Sequence, residues 1–324
     1  MKVTAKAPSN IAFIKYWGKR DEKLRIPENS SISMNLSRAF TITSVEFSNK
    51  FKSDSLFING LKASVDETKR VSIHLDLIRS LSKINDFARV ESRNNFPKAS
   101  GIASSASGFA ALTLAGAKAA GLSLSEKELT ILARLGSGSA CRSIPDGFVE
   151  WKMGRTGNDS YAHSLFAPQF WNICDLIAVV GKSSKKVSSS EGHAIAESSP
   201  FYKTRIVAME NKLKKIKLAM KNKDFTKFGE ILEAEAINMH MVMMTSNPPL
   251  YYWLPETLKV MVKVMEWRNK GLESYFTIDA GPNVHVICRT KDVDRLTKRL
   301  RKLSGVRSVL VNTPALGARI IEVV

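Results

Sequence analysis

Residues 93–112 read RNNFPKASGIASSASGFAAL, and the rest of the chain is organised around this stretch. Its start is polar and extended, the chain turns at Pro97, and almost only small residues follow as far as Gly108. The alanine-rich apolar run that continues to about Gly121 predicts a buried helix. Backbone N–H groups in such a loop, together with those at a helix start, favour an anion. The stretch therefore predicts either a phosphate-binding loop or a tightly packed strand-to-helix turn. It is not a Walker A loop, because G-x-x-x-x-G-K-[ST] is absent.

Composition indicates a globular protein of two domains. The chain has 324 residues, of which 44% are hydrophobic and 24% charged. No apolar run reaches the roughly 18 residues that a membrane-spanning helix needs. The N-terminal residues MKVTAKAPSNIAF contain no continuous apolar core of a signal peptide. We therefore expect a cytoplasmic protein that does not bind a membrane.

The cysteines and histidines do not indicate a metal site. Cys141, Cys174 and Cys288 are widely separated, which predicts small buried side chains rather than a disulfide framework. The five histidines are scattered without a metal-binding spacing.

The formal net charge of +19 favours anionic partners. Lysines are concentrated in residues 203–223, where apolar residues recur at helical spacing, so the lysines form either a solvated helix face or a polyanion patch. An RNA-binding protein is an alternative, but it predicts aromatic side chains among the basic ones. The interior of this cluster has none, so we expect small phosphorylated partners and no nucleic acid.

Strands and helices alternate along the chain, but with strands in pairs, which predicts α+β layers rather than a doubly wound sheet. Short strands are predicted at 2–7, 11–15, 31–36 and 41–47, with a polar loop between the second and third. A second turn of small residues, GSGSACRS, occupies 136–143. The Ser/Lys-rich residues 182–193 predict a hinge or lid, so we place the domains at 1–182 and 183–324.

Taken together, several stretches resemble the diphosphomevalonate decarboxylases of the GHMP kinase superfamily. These stretches occur in the family order across residues 8–283. The stretches are NIAFIKYWGKRD, PENSSISMNL, NNFPKASGIASSASGFAAL, GSGSACRS with GFVEW, KKVSSSEG, the pair MH and PP, and YFTIDAGPN. The resemblance implies an N-terminal half like ribosomal protein S5 domain 2 and a ferredoxin-like C-terminal half. It also implies ATP, Mg²⁺, a cleft between the halves and a homodimer.

The implied reaction belongs to the mevalonate pathway of isoprenoid biosynthesis. ATP phosphorylates the 3-hydroxyl of mevalonate 5-diphosphate, and the 3-phosphate then leaves with carbon dioxide to give isopentenyl diphosphate. The resemblance implies three catalytic residues. Asp279 orients or deprotonates the hydroxyl, Arg142 holds the substrate carboxylate, and Lys15 lies beside Asp279 and stabilises the leaving phosphate.

The resemblance assigns further residues to binding. Those that bind the substrate are Tyr16, Lys19, Ser137, Ser139 and the cleft-lining Asn10. Those that bind ATP are Ser104, Ser105, Ser107, Gly108 and the lid serines Ser188 and Ser189. Ser105 is also the implied ligand of Mg²⁺, and Trp17 is expected to pack rather than to contact a ligand.

The chain departs from the family pattern after the arginine, where Ile144-Pro145-Asp146-Gly147 replaces a phenylalanine and glycines. Pro145 stiffens the turn, and Asp146 adds a negative charge near a site for anions. A mevalonate 5-phosphate decarboxylase that forms isopentenyl phosphate is therefore an alternative. A mevalonate 3-kinase and an ATP-independent bisphosphate decarboxylase are further ones. The presence of all three catalytic residues argues against the kinase.

Overall fold

The computed structural model describes residues 1–96, 104–181 and 187–324. Its helices are α1 (Val65–Ser82), α2 (Ser104–Ala119), α3 (Glu126–Gly136), α4 (Ser189–Ala194), α5 (Tyr202–Lys221), α6 (Phe225–Thr245), α7 (Pro255–Asn269) and α8 (Val293–Arg301). Its strands are β1 (Lys2–Ile14), β2 (Lys19–Asp21), β3 (Ile26–Pro27), β4 (Ser31–Ser48), β5 (Ser55–Ile58), β6 (Leu61–Lys62), β7 (Phe87–Asn94), β8 (Phe148–Trp151), β9 (Ala162–Phe166), β10 (Ile173–Val179), β11 (Ser274–Thr277), β12 (Val284–Arg289), β13 (Ser308–Asn312) and β14 (Arg319–Val323).

The first sheet is built on the long antiparallel pair β1 and β4. Its strand order is β14-β1-β4-β7-β5-β6, and β8 and β9 extend it from β4. Helix α2 lies on this sheet with Ala106, Ala110, Ala111 and Ala115 fully buried. Because these side chains are small, the helix can lie close to the strands, which brings its first turn to the edge of the site.

The second sheet has the order β11-β12-β10-β13, with all neighbours antiparallel. Its core includes Val260 and Val264 of α7 and Leu296 and Leu300 of α8, so both helices bury apolar faces with this sheet. None of the helices in the described residues combines the length and apolarity that a bilayer crossing requires.

One hydrophobic core joins the two halves of the chain. Phe13 of β1 meets Phe228 of α6 edge to face, with 4.9 Å between the ring centroids. This contact fixes the end of β1, and hence Lys15, against the second half. The boundary at residue 182 stays a prediction: β10 precedes it yet belongs to the second sheet, and β14 returns to the first.

The mixed α+β architecture is confirmed, whereas several strand predictions were wrong. The strands predicted at 2–7 and 11–15 are one strand, β1, in which a register shift between Pro8 and Asn10 accommodates the proline. The strands predicted at 31–36 and 41–47 are likewise one strand, β4. The predicted polar loop contains the β2–β3 hairpin, and β8 and β9 were not predicted.

Part of the predicted phosphate loop and of the predicted lid, residues 97–103 and 182–186, lies outside the described residues. The rest of the lid region forms α4, which Ser188 and Glu191 begin with reciprocal side-chain-to-backbone hydrogen bonds. The three cysteines are buried and free, as predicted.

Candidate active site

Lys15 and Asp279 form an ion pair between the two halves of the chain. Lys15 follows β1 directly and Asp279 follows β11, and the distance from Lys15 Nζ to Asp279 Oδ1 is 2.6 Å. Lys15 Nζ also donates to the carbonyl of Ala12 at 2.7 Å. The Lys15 side chain is 1% exposed and that of Asp279 is 29% exposed, so the carboxylate is the part of the pair open to a ligand.

Burial and pairing act in opposite directions on these two groups. Burial lowers the pKa of Lys15, and the Asp279 carboxylate only partly offsets this, so the net shift is downward. Burial raises the pKa of Asp279, but the Lys15 ammonium outweighs it and the net shift is again downward. Asp279 is therefore ionised at neutral pH and can accept a proton.

Arg142 lies in a 3₁₀ helix, Gly138–Ser143, where neutral groups hold it. Its Nε and Nη2 donate to Asn10 Oδ1 at 3.3 and 3.2 Å, and its Nη1 donates to Ser31 Oγ at 2.8 Å. Asn10 is fixed in turn, because its Nδ2 donates to the Ser143 hydroxyl at 2.8 Å and to the Ser139 carbonyl at 3.1 Å. The guanidinium plane is thereby held in one orientation.

The Arg142 guanidinium is a buried charge that lacks an ion-pair partner among the described carboxylates. Arg142 is only 3% exposed, and among the described residues no acidic side chain forms an ion pair with it. Burial lowers its pKa, although a guanidinium stays protonated. Asp279 acts on this charge only from beyond ion-pair distance, and burying a charge without an ion-pair partner is costly, so the arrangement favours the arrival of an anion.

The start of α2 faces this site with small polar residues. Ser105 is exposed, and its hydroxyl lies 3.4 Å from that of Ser137. Ser107 is fully buried, and its hydroxyl is bonded inward to Ser9 at 3.2 Å and to Thr41 at 2.7 Å. The Ser107 hydroxyl therefore holds α2 on the sheet, and it would have to give up these bonds to make the predicted contact with ATP. The side chain of Ser104 lies outside the described residues.

A cavity of about 170 Å³ opens beside the first turns of α2. Its lining is mainly apolar and includes Leu56, Val90 and Phe109. Ser105 and Gly108, in the first turns of α2, also line it. Arg70 on α1 also lines the cavity, with its guanidinium 5.3 Å from the centre of the Phe109 ring. A flat apolar group attached to a phosphate chain would fit such a cavity.

Tyr16 and Trp17 flank the imidazole of His193, a buried residue in the last turn of α4. The ring centroids lie 4.1 Å and 4.5 Å from that of His193. The backbone N–H of Gly18 donates to His193 Nδ1 at 2.9 Å, so the ring proton is on Nε2. Burial lowers the pKa of His193 well below its usual value, so it is neutral. Trp17 packs in a buried cluster, as predicted.

Four other predicted residues remain, Lys19, Ser139, Ser188 and Ser189. Lys19 forms an ion pair with Glu22, and Ser188 caps α4 by accepting from the Glu191 N–H at 3.2 Å. Ser189 is the first residue of that helix, and Ser139 is half-buried. These contacts neither assign nor remove their predicted roles.

Asp146 is exposed in the turn that follows the 3₁₀ helix. Its carboxylate accepts a hydrogen bond of 2.6 Å from the backbone N–H of Gly317. The neighbouring Pro145 carbonyl accepts from Asn35 Nδ2 at 2.7 Å. The stiff turn therefore anchors the C-terminal segment.

Comparisons with known proteins agree on one family. The family described as "Diphosphomevalonate decarboxylase-like N-terminal domain" matches residues 7–162, and "Mevalonate 5-diphosphate decarboxylase C-terminal domain" matches 175–313. The diphosphomevalonate decarboxylase of Candida albicans is 37% identical over 92% of this chain and 87% of its own length. The chain belongs to the diphosphomevalonate decarboxylase family.

Solved structures of the diphosphomevalonate decarboxylase family have the same fold. The mevalonate diphosphate decarboxylase of Staphylococcus aureus is 39% identical, with a TM-score of 0.94 over 99% of this chain and 98% of its own. A structure of MDDEF in complex with MVAPP, AMPPCP and magnesium is also 39% identical, with a TM-score of 0.95 over 100% of this chain and 99% of its own. The GHMP kinase fold is thereby confirmed.

The described residues fit a magnesium ion that is held mainly by phosphate oxygens. They contain no cluster of three or more His, Cys, Asp or Glu side chains that could hold a metal. Mg²⁺ commonly keeps waters and binds few protein oxygens besides substrate phosphates. The exposed Ser105 hydroxyl at the start of α2 is an oxygen of this kind.

Sequence reasoning gave no role to several residues that surround the diphosphomevalonate decarboxylase site. Ser31 accepts a hydrogen bond from Arg142, and His193 accepts one from the backbone of Gly18. Arg205 and Glu235 form a buried ion pair. For Arg205 a signal was present. It lies between Tyr202 and Met209 on the buried face of α5, where a charge requires a partner.

Proposed function

We propose that the chain uses Lys15, Arg142 and Asp279 to convert mevalonate 5-diphosphate to isopentenyl diphosphate, with ATP as the second substrate and Mg²⁺ as the cofactor. Membership of the diphosphomevalonate decarboxylase family and the ligands of the related MDDEF structure support this activity. The products are ADP, phosphate and carbon dioxide.

The observation that carries the proposal is the buried guanidinium of Arg142. Neutral groups use one side of it, through Asn10 Oδ1 and Ser31 Oγ. No carboxylate in the described part of the chain forms an ion pair with it, although Asp279 acts on its charge from a longer distance. The substrate has a carboxylate that fits a planar pair of N–H donors. A decarboxylase needs that carboxylate held in one orientation while its C–C bond breaks.

Phosphorylation comes first and depends on Asp279. The oxygen of the 3-hydroxyl forms a bond to the γ-phosphorus of ATP, the bond from that phosphorus to the bridging oxygen of ADP breaks, and the hydroxyl proton passes to Asp279. Lys15 holds Asp279 in place and keeps it ionised through the 2.6 Å contact. Mg²⁺, held by phosphate oxygens and Ser105, would offset negative charge on the phosphates.

Decarboxylation follows from the same arrangement. The bond between C3 and the phosphate oxygen breaks, and the phosphate leaves with the electron pair. The bond to the carboxyl carbon then supplies the electrons of the new double bond, and carbon dioxide leaves. Arg142 orients the carboxylate, and the Lys15 ammonium stabilises the negative charge that accumulates on the leaving phosphate.

The nucleotide occupies the cavity beside α2 in this proposal. The base takes the apolar part between Leu56 and Phe109, and the phosphates face Ser105 and the backbone at Gly108. Ser104, Ser188 and Ser189 complete the phosphate contacts by family resemblance.

The 5-diphosphate is assigned to Tyr16, Lys19, Ser137 and Ser139. The diphosphate is preferred to a shorter phosphorylated tail because the matching C-terminal family is described by mevalonate 5-diphosphate and the related MDDEF structure is a complex with MVAPP.

The test is a paired assay. The purified chain receives mevalonate 5-phosphate or 5-diphosphate, with and without ATP and Mg²⁺, while carbon dioxide and ADP are measured. We expect one carbon dioxide per ADP with the diphosphate only. Carbon dioxide without ATP, ADP without carbon dioxide, or faster turnover of the monophosphate would each contradict the proposal.

A homodimer and a cytoplasmic location belong to the same proposal and rest on the family resemblance alone. Light scattering of the purified chain tests the first, and a monomer across the working concentration range contradicts it. Fractionation of the source cells tests the second, and recovery of the chain with membranes or in a secreted fraction contradicts it.

A further inference from the structure

The backbone of Lys15 is held by side chains rather than by a strand partner. Lys15 follows the last residue of β1, so it lies beyond the strand ladder. Its carbonyl accepts two hydrogen bonds, from Asn29 Nδ2 at 2.9 Å and from Arg205 Nη2 at 3.1 Å. Arg205 is on α5, in the second half of the chain.

Arg205 belongs to a buried charge network. Its Nη2 also donates to Glu235 Oε1 on α6 at 2.5 Å, and the other oxygen of Glu235 accepts from Lys212 Nζ at 2.7 Å. The Glu235 side chain is 0% exposed and that of Arg205 is 2% exposed. Replacing a buried ion pair with apolar side chains of similar volume is often neutral or stabilising. Stability alone therefore does not explain why this pair is present.

We propose that Arg205 and Glu235 are positioning residues for the decarboxylase reaction, which hold the Lys15 backbone in register with Asp279. This inference rests on the proposed function, because it requires Lys15 to act on the leaving phosphate. Arg205 spans the two halves: it donates to the Lys15 carbonyl and, at 3.5 Å, to Asn29 Oδ1 in the first half, and it forms an ion pair with Glu235 in the second. A shift of Arg205 would move the Lys15 carbonyl, and with it the ammonium that Asp279 contacts.

Electrostatics links the same network to the Lys15 ammonium. The charged and titratable groups facing Lys15 are Asp279 after β11, Glu235 and His240 on α6, Arg142 in the 3₁₀ helix and Arg205 on α5. Burial lowers the pKa of Lys15, whereas Asp279 and then Glu235 raise it. Glu235 therefore favours the charged form of Lys15 as well as the position of Arg205.

The first test compares Arg205→Lys with Arg268→Lys. Arg268 is a matched control, since it pairs with Glu233 on the same helix α6 and donates to the Ser274 carbonyl at 2.8 Å. A lysine at 205 cannot reach both the Lys15 carbonyl and Glu235 with one planar group. We expect kcat to fall between roughly 10-fold and 10²-fold in Arg205→Lys, with KM for ATP unchanged. Arg268→Lys should retain kcat at a similar loss of stability.

The second test uses the alkaline limb of the kcat profile, where Lys15 loses its proton. Glu235→Gln removes a charge that raises the pKa of Lys15, so the limb should move to lower pH. Lys212→Met removes a cation bound to Glu235, so the limb should move to higher pH. Lys212 is partly exposed, so this variant remains informative if Glu235→Gln does not fold.

The outcomes separate the inference from the proposed function. Wild-type enzyme that releases no carbon dioxide from the diphosphate overturns the function. Wild-type turnover combined with equal kcat in Arg205→Lys and Arg268→Lys overturns only the inference. So does an alkaline limb that stays in place, or moves in the same direction, in Glu235→Gln and Lys212→Met.

Discussion

We predict that Asp279→Asn abolishes turnover while the chain still folds and binds ATP. An amide cannot accept the hydroxyl proton, and loss of a general base costs roughly 10²–10⁴-fold in rate. The substitution also removes the negative charge 2.6 Å from Lys15 Nζ, which is otherwise bonded only to the Ala12 carbonyl among the described groups. The variant should therefore lose stability as well as activity.

The size of this stability loss follows from the burial of the pair. Removing one partner of a buried ion pair costs about 3–5 kcal/mol. Since the Asp279 side chain is 29% exposed, we expect a value of about 3 kcal/mol near neutral pH. This is a large part of the stability of an ordinary domain, but it leaves the chain folded.

The loss should depend on pH in a direction that the pKa shifts determine. The pKa of Asp279 is lowered on folding, so its contribution exists above its unfolded pKa and disappears as pH falls through the folded value. The pKa of Lys15 is also lowered, so stability rises with pH between its folded and unfolded values. In Asp279→Asn the folded pKa of Lys15 falls further, and deprotonation relieves the buried charge. The difference in the free energy of unfolding between wild type and Asp279→Asn should thus become smaller at both acid and alkaline pH.

Urea denaturation at a series of pH values measures this difference, and calorimetry with a non-hydrolysable ATP analogue measures nucleotide binding. The exposed Asp294→Asn serves as the control and should change neither quantity beyond a few tenths of a kcal/mol. Turnover within tenfold of wild type in the folded Asp279→Asn variant would remove Asp279 from its role. A stability difference that is constant from pH 4 to 10 would refute the argument about Lys15.

Three further predictions concern other parts of the site. Arg142→Lys keeps the charge but loses the planar pair of donors, so we expect ATP to be consumed faster than carbon dioxide appears. One carbon dioxide released per ATP at the wild-type rate would contradict this prediction. In Gly138→Ala the new Cβ would lie 2.6 Å from Tyr16 Cε1, so the substrate KM should rise at least severalfold with little change in KM for ATP, which steady-state kinetics will measure. Val71→Trp fills the cavity beside α2, so KM for ATP should rise while the substrate KM stays constant; unchanged ATP affinity places the base elsewhere.

Helices were predicted well because their signals are local. The alanine-rich run that predicted a buried helix forms α2. Ser64 and Glu67 form a capping box that starts α1, and Ser125 and Glu128 do the same for α3, so these helix starts are also set by residues close together in the sequence. The strand predictions failed where a local turn signal competes with a long-range partner. Pro8 suggests a break, but β4 pairs with β1 on both sides of it and the chain stays extended.

The site was predicted in part because motifs identify residue types but not their partners. Lys15 and Asp279 were expected to be neighbours through the family resemblance, and the structure brings them together. The contact of Arg205 with the Lys15 carbonyl joins residues 190 positions apart, and no periodicity in either segment encodes it. The role of Ser31 could likewise not be predicted, because an alternating strand pattern does not show which hydroxyl accepts a hydrogen bond from a guanidinium.

The distribution of charge fits the proposed reaction better than a role in stability alone. In the described part of the chain, the cations Lys15, Arg142 and Arg205 are buried around the two carboxylates of Asp279 and Glu235, which leaves an excess of positive charge. A core that existed only for stability would replace such groups with apolar side chains. A substrate with a carboxylate and phosphates supplies the missing negative charge, so part of the cost of burying Arg142 is recovered only when the anion binds. Because negative charge accumulates on the leaving phosphate in the proposed reaction, fixed cations in this position stabilise the transition state more than the bound substrate.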